Sequence, residues 1–280
     1  MMRSSRNSVL APIIGAYALL GILFSLLIPA WEAPDEPAHY NYVRQLADFN
    51  FPVMTDNDYD QAYQSEVIGA DFDPSYSVEP FSYEDYQPPL YYLIQTPVYW
   101  ISGGSLFAMR LFGVFLGALT LYFAYCVFTK TADFLGWGRA VPWLAVGFFA
   151  FLPQHLAIQS SMNNDSLAEL LIAAGLLLLI NQVTEWQAAD QSDPRSDPIE
   201  WRLLPQSRSG RWLIFVLCLC LLTKVTAYLL ILVVGITIIF AHRWRWLAIV
   251  QKGFETFTVP FLAGCLWWGR TYGCMVGQTF

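Results

Sequence analysis

Residues 9–30 read VLAPIIGAYALLGILFSLLIPA and run straight into Trp31-Glu32-Ala33-Pro34-Asp35-Glu36-Pro37-Ala38-His39-Tyr40. The first stretch is uncharged and, at about 20 residues, long enough to cross a bilayer as a helix. The second sets two adjacent carboxylates where the chain leaves the lipid. Acids there are costly to desolvate and well placed to act on a group held at the membrane surface. Arg3 and Arg6 precede a run longer than the roughly 7–15 apolar residues of a cleaved signal peptide, so a retained signal anchor is expected.

The other apolar runs cover 105–128, 140–159, 167–183, 212–241 and 254–268. The 212–241 run would extend roughly 45 Å as one helix, well beyond one hydrocarbon core. Thr223-Lys224 interrupts it, and two short helices meeting at Lys224 are expected. The fold expected is therefore an all-α, multi-pass membrane protein with about seven transmembrane helices, forming a single domain. Composition agrees: 56% of the 280 residues are hydrophobic and only 13% charged, against roughly 25% charged in soluble domains.

Basic residues set the expected orientation. Arg3 and Arg6 hold the N-terminus in the cytoplasm, which puts 31–104 outside as a large extracytoplasmic loop. Lys130 and Arg139 return inside, as do Arg195, Arg202, Arg208 and Arg211 in a cytoplasmic loop over 184–211. Splitting 212–241 at Lys224 brings Arg243, Arg245 and Lys252 inside as well. The expected location is the plasma (inner) membrane with an extracytoplasmic active face. On this path Asp35, Glu36, His39, Arg110, Asn163, Asn164, Asp165, Lys224 and Arg270 all reach the outer rim.

The net charge of −7 is concentrated in that loop, where Arg44 is the one basic residue. Nucleic acid is excluded as a partner of such a surface. Pro37 with Asp35 or Glu36 as cap predicts a helix whose stripe, Tyr42, Val43, Leu46, Ala47 and Phe49, lies on the membrane. Residues 54–86 are acidic, Tyr-rich and aperiodic. After Gln87-Pro88-Pro89, the segment 90–101 is too short to span and predicts an interfacial or re-entrant helix. Cys126, Cys218, Cys220, Cys265 and Cys274 form neither a disulfide framework nor a zinc pattern.

Asp35-Glu36 is the first chemical candidate: a carboxylate there can take a proton from an acceptor as general base. Two other readings stand beside it. The acids could simply cap a helix, or with His39 could offer oxygen and nitrogen ligands to a divalent cation. Arg110, Lys224 and Arg270 could bind the phosphate of a lipid carrier, or could snorkel to the interface. Asn163-Asn164-Asp165 could hydrogen-bond a sugar; equally, Ser166 with Glu169 fits a capping box. Trp267-Trp268 suits stacking on a sugar or an aromatic belt. Nucleotide-binding, GxSxG and HExxH motifs are absent.

Several segments together resemble the GT-C membrane glycosyltransferases, in particular the family 39 group of protein O-mannosyltransferases, aminoarabinose transferases and their bacterial relatives. They are Asp35-Glu36-Pro37-Ala38-His39-Tyr40, Gln87-Pro88-Pro89-Leu90-Tyr91-Tyr92, Arg110 with Gly113 and Gly117, Asn163-Asn164-Asp165, Leu222-Thr223-Lys224 and Trp267-Trp268-Gly269-Arg270. The resemblance implies transfer of a sugar from a polyprenyl-phosphate carrier to a protein, lipid or glycan acceptor outside the membrane. It implies Asp35 as base, Glu36 assisting, and lipid-phosphate contacts from Lys224, Arg110 and Arg270. No resident cofactor is implied, although oligosaccharyl relatives use a divalent cation. Family members continue through further spans, so a missing C-terminal part is expected. The competing expectation is a non-enzymatic transporter or envelope-polysaccharide assembly protein.

Overall fold

The computed structural model describes residues 9–55, 58–192, 207–242 and 245–277, with side chains omitted over 186–192 and 274–277. Arg3, Arg6, Arg195, Arg202 and Arg243, used above to orient the chain, lie outside the described residues. All regular structure among the described residues is helical: α1 (Leu10–Leu27), α2 (Glu36–Ala47), α3 (Gln61–Gly69), α4 (Leu90–Ser102), α5 (Leu106–Leu135), α6 (Val141–Ala150), α7 (Pro153–Gln159), α8 (Asp165–Ser192), α9 (Arg208–Leu221), a 3-10 turn (Val225–Tyr228), α10 (Leu229–Ala241) and α11 (Trp246–Gly277).

Three of these are long and apolar enough to cross a membrane: α1, α5 and α8 over Asp165–Glu185. The pair α6 and α7 would make a fourth, bent by 60°. The bend has a local cause. Leu152 precedes Pro153, whose ring disfavours a helical residue before it, and Leu152 is extended at φ −66°, ψ 117°. The run 140–159, expected as one span, is thus two helices.

Residue pairings show that α1 and α5, α8 and α9, and α10 and α11 run in opposite directions. Tyr17 of α1 meets Gly117 of α5 while Gly21 meets Val114, so these two run antiparallel. Ser207 at the start of α9 bonds Gln182 of α8 at 2.6 Å, and Lys224 just past its end reaches Asp165 at the start of α8. Trp268 of α11 donates to the Tyr228 hydroxyl at 2.8 Å, beside the start of α10. The chain does turn at Lys224, as expected. Loose carbonyls at the end of α9 must find donors there. Thr223 Oγ1 donates to Leu219, the Tyr228 hydroxyl to Leu221, and the Leu90 backbone N–H at the start of α4 to Leu222.

Residues 31–104 cover one end of this bundle. Contrary to the membrane-lying helix expected from its stripe, α2 is enclosed. Tyr42 stacks on Tyr92 of α4 with ring centroids 3.7 Å apart. On its other side Ala38 packs with Val67 and Phe81, and the Asn41 amide donates to the carbonyls of Val78 and Phe81 at 2.7 and 2.8 Å. Of the stripe, Tyr42, Val43, Leu46 and Ala47 are buried in protein while Phe49 is exposed, and Asn41, on the opposite side, finds protein partners too. The aperiodic region supplies this cover, including α3, which is capped by the Asp60 carboxylate. By contrast, α4 exposes Leu93, Ile94, Trp100 and Ile101, as an interfacial helix would.

Gly113 lets α5 approach the chain just before α8. A Cβ there would lie 2.6 Å from the Gln159 carbonyl oxygen and 3.1 Å from that of Ser161. Gly15, in contrast, has open space around it. Gly113→Val should therefore lower stability by about 1–3 kcal/mol through overpacking, while Gly15→Ala should leave it unchanged or slightly raised. Unfolding of both variants in detergent micelles checks this.

Candidate functional site

At the covered end, Glu36 and Arg110 form a buried ion pair, with side chains 0% and 4% exposed. Arg110 Nε donates to Glu36 Oε1 at 2.8 Å and Nη2 to Oε2 at 2.5 Å. Its other N–H groups go to carbonyls in the last turn of α1 and just beyond it: Nη1 to Ser25 and Ile28, Nη2 to Pro29. All five guanidinium donors are used. Glu36 also accepts the backbone N–H groups of Trp31 and Met162, each at 3.1 Å. This corrects two expectations. Arg110 has no donor left for a lipid phosphate, and Glu36 has no free carboxylate with which to assist an acceptor.

Asp35 is built differently. Its backbone takes the left-handed conformation, φ 61°, which is strained for a residue with a side chain. That twist turns the carboxylate away from the helix it precedes. It makes no cap, and instead accepts the Tyr83 hydroxyl at 2.9 Å while remaining solvent-exposed. Beside it lies Glu84, only 8% exposed, with Oε2 lacking a hydrogen-bond partner. Burial pushes the Glu84 carboxyl up to about 7; the charges of Asp35 and Asp165 add to this, while Gln87 and Lys224 oppose it. Asp85 is also pushed up to about 7 by burial, against a bond from Gln45.

Lys224 faces this group from the α9–α10 turn. Its Nζ lies 2.9 Å from Asp165 Oδ1, and its side chain is 18% exposed. Asp165 occupies one of three ammonium donors. The field of Lys224 reaches Glu84 and His39. Asp35, Glu84, Asp165 and Lys224 therefore form one neighbourhood assembled from four separate stretches of chain.

His39 lies one turn along α2 and is pushed down to about 3 by burial and by Lys224, so it is neutral. The Asn164 amide donates to the Tyr92 hydroxyl oxygen at 3.3 Å, and the Tyr92 hydroxyl lies 2.9 Å from His39 Nδ1. With Asn164 donating, Tyr92 passes its own proton toward Nδ1. The imidazole hydrogen is thereby assigned to Nε2.

The remaining sequence candidates divide. Asn163 turns the chain into α8, its Oδ1 accepting the Asp165 N–H at 2.9 Å. It replaces the expected capping box: Ser166 Oγ instead bonds the Asn163 carbonyl, and Glu169 accepts from Gln159. Arg270 is held elsewhere, 4.2 Å over the Phe51 ring, with Nη2 donating to the Pro52 carbonyl at 3.1 Å. This contact joins the chain after α2 to α11 and takes one of the five guanidinium donors. Asp35, Glu36 and His39 do not act as a ligand set, because Glu36 is bound to Arg110 and His39 Nδ1 to Tyr92. Among the described residues no group of three His, Cys, Asp or Glu side chains could hold a metal ion.

Sequence reasoning missed Tyr83, Glu84 and Tyr92 as members of the site. The one available signal was Gln87-Pro88-Pro89, which marks where an irregular segment is fixed against a helix. No family model, curated protein or solved structure matches the chain.

Tyr92→Phe would strand a buried His nitrogen and a buried amide together. It should cost about 1–3 kcal/mol. Asp35→Asn, at an exposed carboxylate, should leave the unfolding midpoint within experimental error. Parallel denaturation of the two variants measures the contrast.

Proposed function

We propose that this chain is an integral membrane glycosyltransferase. It moves a sugar from a polyprenyl-phosphate carrier to an extracytoplasmic protein, lipid or glycan acceptor. The observation that carries the reading is that an exposed, strained carboxylate, Asp35, and a partly accessible ammonium, Lys224, both act on Glu84 at the end of a bundle of apolar helices. Support for a membrane setting comes from the three long apolar helices. The reversal at Lys224 favours seven crossings, with the covered end outside. The exposed Lys130 and Arg139 lie at the opposite end, where positive charge belongs on the cytoplasmic side.

The chemistry follows from the charges. An acceptor hydroxyl attacks the anomeric carbon while Asp35 takes its proton. The bond from that carbon to the phosphate oxygen breaks, and its electron pair leaves with the carrier phosphate. Lys224 stands where that negative charge would be stabilised. His39 is fixed as a neutral Nε2–H donor suited to a sugar or phosphate oxygen. Asn164 orients it through Tyr92, and Asn163 and Asp165 place Lys224. The leaving group is already a phosphate, so no strong acid is required. Glu36, Arg110 and Arg270 hold the frame.

Transfer by the full chain reconstituted with polyprenyl-phosphate hexoses and pentoses tests this. Asp35→Asn should reduce turnover by about 100-fold or more, and Lys224→Met by about 100- to 1,000-fold, with folding preserved. Unchanged turnover in Asp35→Asn would reject the base. Substrate flux in proteoliposomes without any lipid-linked sugar would favour a transporter instead.

A further inference from the structure

Glu84 is the one group of the site to which the transfer chemistry gives no work, and its surroundings are unusual. It is more than nine-tenths buried, yet Oε2 has no hydrogen-bond partner. A buried carboxyl oxygen left unpaired is costly. The charged and titratable groups around it come from every side. Asp35 approaches from the start of α2, Asp165 from α8 and Lys224 from the α9–α10 turn, with Tyr92 on α4 and Tyr83, Asp85 and Tyr86 on its own segment.

Charge balance sharpens the question. Asp165 already offsets Lys224 through their ion pair. With Glu84 ionised, the four groups carry two surplus negative charges and would repel an incoming phosphate. With Glu84 protonated the surplus falls to one, and the orphaned oxygen becomes an O–H donor. Protonation thus lowers the repulsion and gives the carboxyl something to offer a phosphoryl oxygen.

We infer that Glu84 is a ligand for the phosphate of the lipid carrier in its protonated form, donating its O–H to a phosphoryl oxygen beside Lys224. The inference rests on the lipid-phosphate reading above and adds a pH-gated phosphate contact from an acid. Because the Glu84 carboxyl titrates at about 7, the competent fraction falls as pH rises through neutrality. Affinity falls with that fraction.

The test is binding of a polyprenyl monophosphate to the full chain in nanodiscs, read by tryptophan fluorescence, for wild type, Glu84→Gln and Glu84→Ala. The second ionisation of the phosphate acts on all three equally, so the comparison isolates Glu84. Between about pH 6 and about pH 8, wild-type affinity should fall about tenfold more than that of Glu84→Gln. The Gln amide imitates the neutral acid and should bind at the higher pH at least as well as wild type. Glu84→Ala should bind weakly throughout. Parallel pH curves for wild type and Glu84→Gln would overturn the inference while leaving the carrier reading intact. Failure of wild type to bind at any pH would remove both. Displacement by inorganic phosphate at equal concentration would overturn the lipid assignment. Should Glu84→Gln not fold, wild type still decides. The infrared carbonyl band that wild type shows and Glu84→Ala lacks should shift on adding the lipid below neutrality, and an unmoved band contradicts the proposal.

Discussion

The buried pair between Glu36 and Arg110 is the constraint from which the rest of the covered end follows. Two charges removed from water are stable only when each remaining donor and acceptor is satisfied. Here the guanidinium is filled by one carboxylate and three carbonyls, and the carboxylate also takes two backbone N–H groups. Those contacts tie together the exit of α1, the start of α2, the first turns of α5 and the chain entering α8. With Glu36 fixed, Asp35 has to take the strained backbone that turns its side chain outward. Adjacent acids thus acquire opposite roles: one disappears into the scaffold and the other stays available.

A second layer of constraint sets the electrostatics. The turn between α9 and α10 brings Lys224 to Asp165, and the irregular segment before α4 folds Tyr83 and Glu84 down beside Asp35. The result is a small region rich in carboxylates with one ammonium at its edge. His39 is kept neutral within it, by burial and by the same ammonium. Tyr92 links this region to the core, stacking on Tyr42 while bonding His39 and Asn164.

Much of this was legible in the residues, for identifiable reasons. Long apolar runs gave the long helices, and a lysine in an apolar stretch gave the turn at 224, because lipid leaves few alternatives to a charged side chain. The position of Asp35 was likewise marked by its place after α1. Pairing was not legible. Glu36 and Arg110 are separated by 74 positions, and each looked equally suited to catalysis. The stripe on α2 read as membrane-facing because its partner, Tyr92 of α4, lies 50 positions further on, and because nothing in residues 54–86 shows a helical or strand period, yet those residues cover the other side of α2. Glu84 was one acid among many there, and only burial distinguishes it. The break at Pro153 carried a clear local signal, outweighed by the hydrophobicity around it.

The most direct measurement is a double-mutant cycle on Glu36→Gln and Arg110→Met, read as unfolding free energy in mixed detergent micelles. Each single change should cost about 3–5 kcal/mol, because it leaves a buried charge uncompensated. The double variant should cost clearly less than the two together. Strictly additive or negligible costs would mean that these side chains are not joined inside the protein, and the placement of Asp35 would lose its foundation.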